Sequence, residues 1–276
     1  MKIGCHVSIA GGVFNAPERA NALGCEIMQI FTRSPQGGPA PKLTPEIISN
    51  FKNLNTKYKI LNTYIHTPYY INFASSNPRI KNGSASVIRD ELERGSLIGA
   101  KYVMTHLGSA KDAGIKKGVE MVIEGIGKAL NGYRGTTKLL LENSAGSGDV
   151  IGSNLADLAK ILKALKPHKA LAGICLDTQH AWASGYDWVN NFEGTIKRID
   201  KEIGLKNIKL IHANDSKPAF NARKDRHDHI GKGTIGLKGF KNIITFVKKL
   251  DIDMLLETEH PEVTEDIKIL KKLRGK

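Results

Sequence analysis

The sequence has no apolar run long enough to cross a membrane, and its opening residues do not show the pattern of a secretory leader. Its 276 residues nowhere approach the roughly eighteen uninterrupted apolar residues of a transmembrane helix. The opening "MKIGCHVSIAGG" lacks the apolar stretch and cleavage site of a signal peptide. We therefore expect a globular protein that works in the cytoplasm and does not bind membranes.

Cysteine is also scarce, with only Cys5, Cys25 and Cys175 in the chain. The three residues form no CxxC pair and lie within apolar runs, where a reduced thiol usually acts as a small core residue. We expect no disulfide.

Acidic residues are few compared with basic ones. The chain has 27 Asp and Glu against 41 Lys and Arg, a formal net charge of +14. This excess goes beyond what solubility requires and favours a polyanionic partner such as nucleic acid. A generally basic surface would give the same count, so charge alone does not identify the anion.

Eight short apolar runs recur along the chain, separated by helix-like segments. The runs are "KIGCHV", "EIMQIF", "TYIHT", "YVMTHLG", "KLLLENS", "GICLDT", "IKLIHAND" and "DMLLETE". Stretches between them, such as "NLADLAKILKAL", repeat apolar residues every three or four positions, as amphipathic helices do. This alternation predicts an α/β fold, a closed (β/α)8 TIM barrel, with an open doubly wound sheet as the alternative. No linker or composition shift divides residues 1–276, which we interpret as a single domain.

Six of these runs end on a residue type that binds metals. The six residues are His66, His106, Glu142, Asp177, His212 and Glu257. The C-terminal ends of all strands in a parallel barrel open onto one face, so these side chains should converge there. One such histidine alone is more often an ordinary loop residue. Six together would repel one another and lose solvation without a cation, which favours divalent metal.

Three further residues are candidates for the same face. His180 follows Asp177 by three positions, and Asp225 and His227 lie in the loop "RKDRHDHIGKG" after the seventh run. Nine side chains suit two or three ions, because each ion takes about three or four protein ligands and a carboxylate can bridge two ions. Imidazole and carboxylate ligands favour zinc, with manganese and iron as alternatives. On spacing alone, His229 could replace His227.

Eight motifs together make the whole chain resemble a known family. They are "GCHVSIAGG", "HTPYYINFA", "MTHLGS", "LLENSAGSG", "CLDTQHAWASGYD", "IHANDSK", "DRHDHIGKGTIG" and "LLETE". The chain resembles the endonuclease IV family of apurinic/apyrimidinic (AP) endonucleases, which are DNA-repair enzymes with three zinc ions in a (β/α)8 barrel.

The resemblance implies a ligand set for each zinc ion. The first ion would take His66, His106 and Glu142; the second Glu142, Asp177, His212 and Glu257; and the third His180, Asp225 and His227. Glu142 would bridge two ions and help to orient the nucleophile, which makes it the expected catalytic residue.

The resemblance also implies the substrate and the reaction. The enzyme would bind duplex DNA as a monomer and cleave the phosphodiester on the 5′ side of an abasic site, leaving a 3′-hydroxyl and a 5′-deoxyribose phosphate. Tyr69 and Tyr70 occupy loop positions that enter the DNA minor groove in the family, and Arg33 and Gln36 lie in a second DNA-binding loop. That loop departs from the family pattern, because Gln36 and Gly38 stand where a basic and an aromatic residue are common.

Two other functions are compatible with parts of this pattern. A sugar isomerase or epimerase on a related barrel also gathers Glu, Asp and His at strand ends, but it needs neither a third ligand group nor a strong positive charge. A catalytically idle DNA-binding relative would not retain all nine ligands. The interpretation that explains most residues is the metal-dependent endonuclease.

Overall fold

Eight parallel strands close into a barrel in the computed structural model, which describes residues 1–275. The strands are β1 Ile3–His6, β2 Ile27–Ile30, β3 Thr63–His66, β4 Tyr102–Thr105, β5 Lys138–Glu142, β6 Leu171–Asp177, β7 Ile208–His212, β8 Asp215–Ser216, β9 His227–Asp228 and β10 Asp253–Leu256. Around the barrel the strand order is β1, β10, β7, β6, β5, β4, β3, β2. All eight apolar runs form barrel strands, so the predicted (β/α)8 fold is confirmed.

Nine α-helices are found in residues 1–275, most of them on the outside of the barrel. They are α1 Ala16–Ala22, α2 Pro45–Lys57, α3 Pro78–Ile98, α4 Ile115–Leu130, α5 Leu155–Ala164, α6 Thr178–Ala183, α7 Phe192–Ile203, α8 Gly236–Leu250 and α9 Val263–Arg274. The longest, α3, starts at the Asn77 cap, whose side chain accepts from the backbone N–H of Arg79, and ends at Gly99 in the left-handed conformation. No helix within residues 1–275 is both long enough and apolar enough for a membrane span.

The inside of the barrel is filled by one layer of fully buried side chains. The layer comprises Ile27, Tyr64, Met104, Leu140, Cys175, Leu210 and Leu255. Strand side chains alternate between the two faces, so their neighbours point outward and pack against the helices. Gly4 on β1 occupies the remaining position of this layer. A larger residue does not fit there, because its Cβ would lie 1.8 Å from the carbonyl oxygen of Ile27. The apolar layer therefore forms a solid floor beneath the C-terminal ends of the strands.

The two short strands β8 and β9 return the loop after β7 to the barrel rim. They pair antiparallel, with Asp215 opposite Asp228 and Ser216 opposite His227. The buried carboxylate of Asp215 accepts from the backbone N–H groups of Ser216, Gly231 and Ile235 at 2.8 to 3.0 Å. These bonds hold the loop that carries His227 against the barrel.

Below the apolar layer, Asp253 gathers three donors at the N-terminal end of the barrel. Its carboxylate accepts from Lys2 N–H at 2.8 Å, Asn62 Nδ2 at 3.1 Å and the Tyr64 hydroxyl at 2.6 Å. Three strands are thus connected by one largely buried side chain.

Replacing Asp253 with alanine should lower the free energy of unfolding by about 3 kcal/mol, because it leaves partly buried donors without an acceptor. Tyr64→Phe, which removes only one of these hydrogen bonds, should cost about 1 kcal/mol. Urea denaturation followed by circular dichroism measures both. The control is Asp112→Ala, an exposed turn residue, which should change stability by less than about 0.5 kcal/mol. Equal losses in Asp112→Ala and Asp253→Ala would contradict this role.

Candidate metal centre

A ring of eight polar side chains lies directly above the apolar layer. Each ring residue follows a residue of that layer by two positions. Because residues two apart on a strand face the same side, the ring residue also points to the inside of the barrel. The ring consists of His6, Gln29, His66, His106, Glu142, Asp177, His212 and Glu257. One residue comes from each barrel strand or the position just after it. The alternating direction of side chains along each strand, together with closure of the barrel, therefore brings together residues up to 251 positions apart, from His6 to Glu257.

His66, His106 and Glu142 form a first cluster, in which the potential ligand atoms lie within 4.8 Å of one another. The Oε2 atom of Glu142 is 3.3 Å from His66 Nε2 and 3.7 Å from His106 Nε2. His66 Nδ1 lies 2.6 Å from the carbonyl oxygen of Thr67 and must donate to it. In the neutral ring, Nε2 therefore keeps the lone pair that a metal needs.

Glu142, Asp177, His212 and Glu257 form a second cluster with the same close spacing. His212 Nδ1 lies 2.8 Å from Glu142 Oε1 and 3.3 Å from Glu257 Oε2. The two oxygens of Glu142 therefore face different clusters. This is the geometry that a bridging carboxylate requires.

The remaining candidates gather beside Asp177. His180 Nε2 lies 3.2 Å from Asp225 Oδ2, and His227 Nε2 lies 3.5 Å from Asp225 Oδ1 and 3.8 Å from Asp177 Oδ2. Asp177, His180 and His227 offer atoms within 4.8 Å of one another, so Asp177 joins this third cluster as well as the second. His180 Nδ1 donates to the carbonyl oxygen of Asn143 at 2.9 Å, which directs Nε2 inward.

His229 lies outside these clusters. Its Nδ1 atom contacts Asp266 Oδ2 at 2.7 Å, and Asp266 also accepts from Ile230 N–H and the Thr258 hydroxyl. The structure thus separates the two histidines that spacing alone could not distinguish: His227 faces Asp177 and Asp225, whereas His229 ties the loop to α9.

The chemistry of the clusters fits divalent metal ions. Buried atoms without a hydrogen-bond partner include Glu142 Oε2, His180 Nε2 and His227 Nε2, and such groups are costly unless a cation satisfies them. Burial alone would raise the pKa of Glu142, yet His212 and His106 hold it well below its usual range. Burial opposes a charge on His180, but Asp177 and Asp225 outweigh it and raise its pKa to about 10. The negative potential that favours protons here also favours a metal ion.

Two further polar residues support the clusters, and the sequence did not identify them. Asn214 donates to Asp177 Oδ2 at 2.6 Å and accepts from the Glu257 N–H at 2.9 Å. Gln29 contacts His212 and Glu257. The available signal for Gln29 was a single amide inside the apolar run "EIMQIF". His6 lies beside it, and burial lowers the pKa of this ring to about 3, so it is neutral.

The clusters form the floor of an open cavity of about 730 Å³, whose walls include Phe31 and Tyr69. Tyr69 and Tyr70 are 67% and 40% exposed at the rim. Gln36 is exposed in a neighbouring loop, where its side chain accepts from the Ser34 hydroxyl.

Arg33 lines the same cavity, but most of its side chain is committed to contacts within the protein. Only 7% of this residue is exposed, and its guanidinium donates to the carboxylates of Glu91 and Asp90 on α3. Its charge is therefore compensated within the protein, and Arg33 anchors the loop that carries Gln36.

Comparison with known proteins identifies the family. The sequence model of the xylose isomerase-like TIM barrel family matches residues 17–273. A protein of Cenarchaeum symbiosum named "Probable endonuclease 4" is 37% identical over all of this chain and 99% of its own length.

Solved structures give the same result. The crystal structure of endonuclease IV from Thermus thermophilus superposes with a TM-score of 0.88 at 33% identity and covers 99% of this chain and 98% of that one. A D-tagatose 3-epimerase-like protein has a TM-score of 0.74 at 21% identity, with 99% and 97% of the two chains covered. The second likeness shows a common fold alone, so the sugar epimerase alternative is not favoured. The chain belongs to the endonuclease IV family, within the xylose isomerase-like TIM barrels.

Proposed function

We propose that this protein is a DNA-repair endonuclease that hydrolyses the phosphodiester on the 5′ side of abasic sites in duplex DNA. The products would be a 3′-hydroxyl and a 5′-deoxyribose phosphate. One observation carries the proposal beyond family membership: Glu142 presents its two oxygens to two adjacent clusters on the floor of an open cavity. We further propose that it acts as a monomer on DNA in the cytoplasm.

The proposed cofactor is three zinc ions per chain, with manganese or iron as alternatives at individual positions. The first would be held by His66, His106 and Glu142; the second by Glu142, Asp177, His212 and Glu257; and the third by His180, Asp225 and His227, with Asp177 close enough to contribute. Such ions, when bound, supply Lewis-acid chemistry that activates water and neutralises charge on a phosphate.

Different groups of residues would have different roles in this mechanism. Glu142 would contribute one oxygen to each of two metal sites and would help to orient the attacking water. The apolar layer beneath the largely buried polar ring keeps bulk water away from the inner side of the reaction centre. The excess of basic residues attracts the DNA backbone without reading its sequence.

Selection of the lesion would follow from the shape of the cavity. An abasic nucleotide costs less to rotate out of the duplex than an intact one, because it has lost base pairing and stacking. Tyr69 and Tyr70 stand exposed at the rim, where an aromatic wedge could replace the missing stacking. Gln36 provides an amide near this surface where the family commonly has a cation.

The metal content of the purified protein provides the first test. Elemental analysis should find about three transition-metal ions per chain, mainly zinc, as the number of clusters requires. His227→Ala should reduce the content to about two, because it removes a ligand of the third cluster only. His229→Ala is the matched control and should keep about three, because His229 faces Asp266. A value near one in the wild type, unchanged by reconstitution with zinc, would favour a sugar epimerase instead.

The role of Glu142 can be tested with Glu142→Gln, which preserves shape but removes the charge. Incision of a duplex with one abasic site should fall by at least about 100-fold, because the variant loses the negative charge that would hold metal ions of two clusters next to the reacting phosphate. DNA binding, measured by fluorescence anisotropy, should change only a few-fold. Glu120→Gln on the exposed face of α4 is the control and should match the wild type. Near wild-type incision by Glu142→Gln in zinc-supplemented buffer would refute this role.

Tyr69 offers a test of lesion capture that is independent of metal. Tyr69→Ala should weaken binding to abasic duplex by about tenfold, the loss of roughly 1.4 kcal/mol of stacking, while the zinc content stays the same. Binding titrations of abasic and intact duplexes give the measurement. Leu61→Ala, an exposed apolar residue at the opposite end of the barrel, should have no effect. An equal loss for intact and abasic DNA would show that Tyr69 does not recognise the lesion.

A further inference from the structure

Gln29 is a fully buried amide within the polar ring. It lies on β2 in register with His6 on β1 and Tyr64 on β3. Because it stands two positions after Ile27, its side chain lies in the layer of the metal clusters rather than in the apolar layer below. A polar group at this depth needs specific partners.

The two ends of the Gln29 amide reach different residues. Its Oε1 atom lies 2.8 Å from His212 Nε2. Its Nε2 atom lies 2.6 Å from Glu257 Oε1 and 3.1 Å from His6 Nδ1. One side chain therefore contacts two members of the second cluster.

The chemistry of these partners determines the orientation of the amide. The Glu257 carboxylate accepts hydrogen bonds, so it must face the NH₂ end, which also donates to His6 Nδ1. The reversed orientation would place the amide oxygen 2.6 Å from a carboxylate oxygen. The amide oxygen therefore faces His212.

This orientation also determines which nitrogen of His212 carries the proton. An amide oxygen only accepts, so His212 Nε2 must donate to it. In the neutral imidazole the other nitrogen, Nδ1, then keeps its lone pair. Nδ1 is the atom that lies 2.8 Å from Glu142 Oε1 and 3.3 Å from Glu257 Oε2.

We propose that Gln29 is a positioning residue that holds His212 in the Nε2–H form, with Nδ1 as the metal-binding nitrogen, and restrains Glu257 through one oxygen so that the other faces the cluster. This inference rests on the proposed function insofar as the second cluster binds zinc. Gln29 itself contacts no metal; it acts through the two ligands, as hydrogen-bond partners of metal-binding histidines commonly do.

Zinc affinity of Gln29→Met gives the first measurement, because methionine has nearly the same length but neither donates nor accepts strongly. Competition with a chromophoric chelator should show one zinc ion bound about 10- to 100-fold more weakly, with the others unchanged. Tyr64→Phe is the matched control: it removes a buried hydrogen bond of the neighbouring strand at the far end of the barrel and should leave all affinities unchanged. Equal zinc affinities in Gln29→Met and the wild type would overturn the proposal.

The wild-type protein gives a second measurement that needs no variant. Long-range ¹H–¹⁵N correlation spectra of the zinc-loaded protein, labelled at histidine, should show His212 protonated at Nε2 and coordinated through Nδ1. Coordination through Nε2 would overturn the role of Gln29 while leaving zinc-dependent incision intact. A wild-type protein that binds no zinc would overturn both this inference and the proposed metal centre.

Discussion

The buried carboxylate of Glu142 is the interaction on which the rest of the centre depends. Its Oε2 atom faces His66 and His106, and its Oε1 atom faces His212. An ionised carboxylate in this position would be expensive if it lacked cationic or hydrogen-bonding partners. The imidazoles around it reduce this cost, and a divalent ion on each side would reduce it further. Two neighbouring clusters therefore share one negative charge at their centre.

The precision of this arrangement comes from the barrel below it. The apolar layer fills the space between the strands, so the strand ends cannot shift independently of one another. Each ring residue is two positions beyond that layer, and each lies at or just after the end of a strand that pairs in parallel with a strand on either side. The third cluster depends partly on a loop, and Asp215 and Asp266 hold that loop to the barrel and to α9 through buried hydrogen bonds.

Histidine orientation is controlled by acceptors outside the clusters. His66 donates from Nδ1 to Thr67 and His180 from Nδ1 to Asn143, both to backbone carbonyls. His212 faces the side-chain amide of Gln29 through its other nitrogen, Nε2. The chain thus presents Nε2 from two rings and Nδ1 from the third. A strand-end histidine therefore cannot be assumed to use the same nitrogen throughout the site.

The amino-acid sequence by itself determined the barrel and most of the ring. Apolar runs interrupted by helices report burial on both faces of a strand, and the polar residue that ends a run marks the strand end, which is why His66, Glu142 and Asp177 could be identified. Gln29 was not identified because its run continues through Ile30 and Phe31, so its single amide does not mark the end of a strand as the other ring residues do. Only the tertiary structure decided that Arg33 pairs with Glu91, 58 positions away, and that His227 rather than His229 faces the clusters. Such pairings depend on how α3 and α9 pack against the barrel, and contacts between distant segments leave no periodic signal in the sequence.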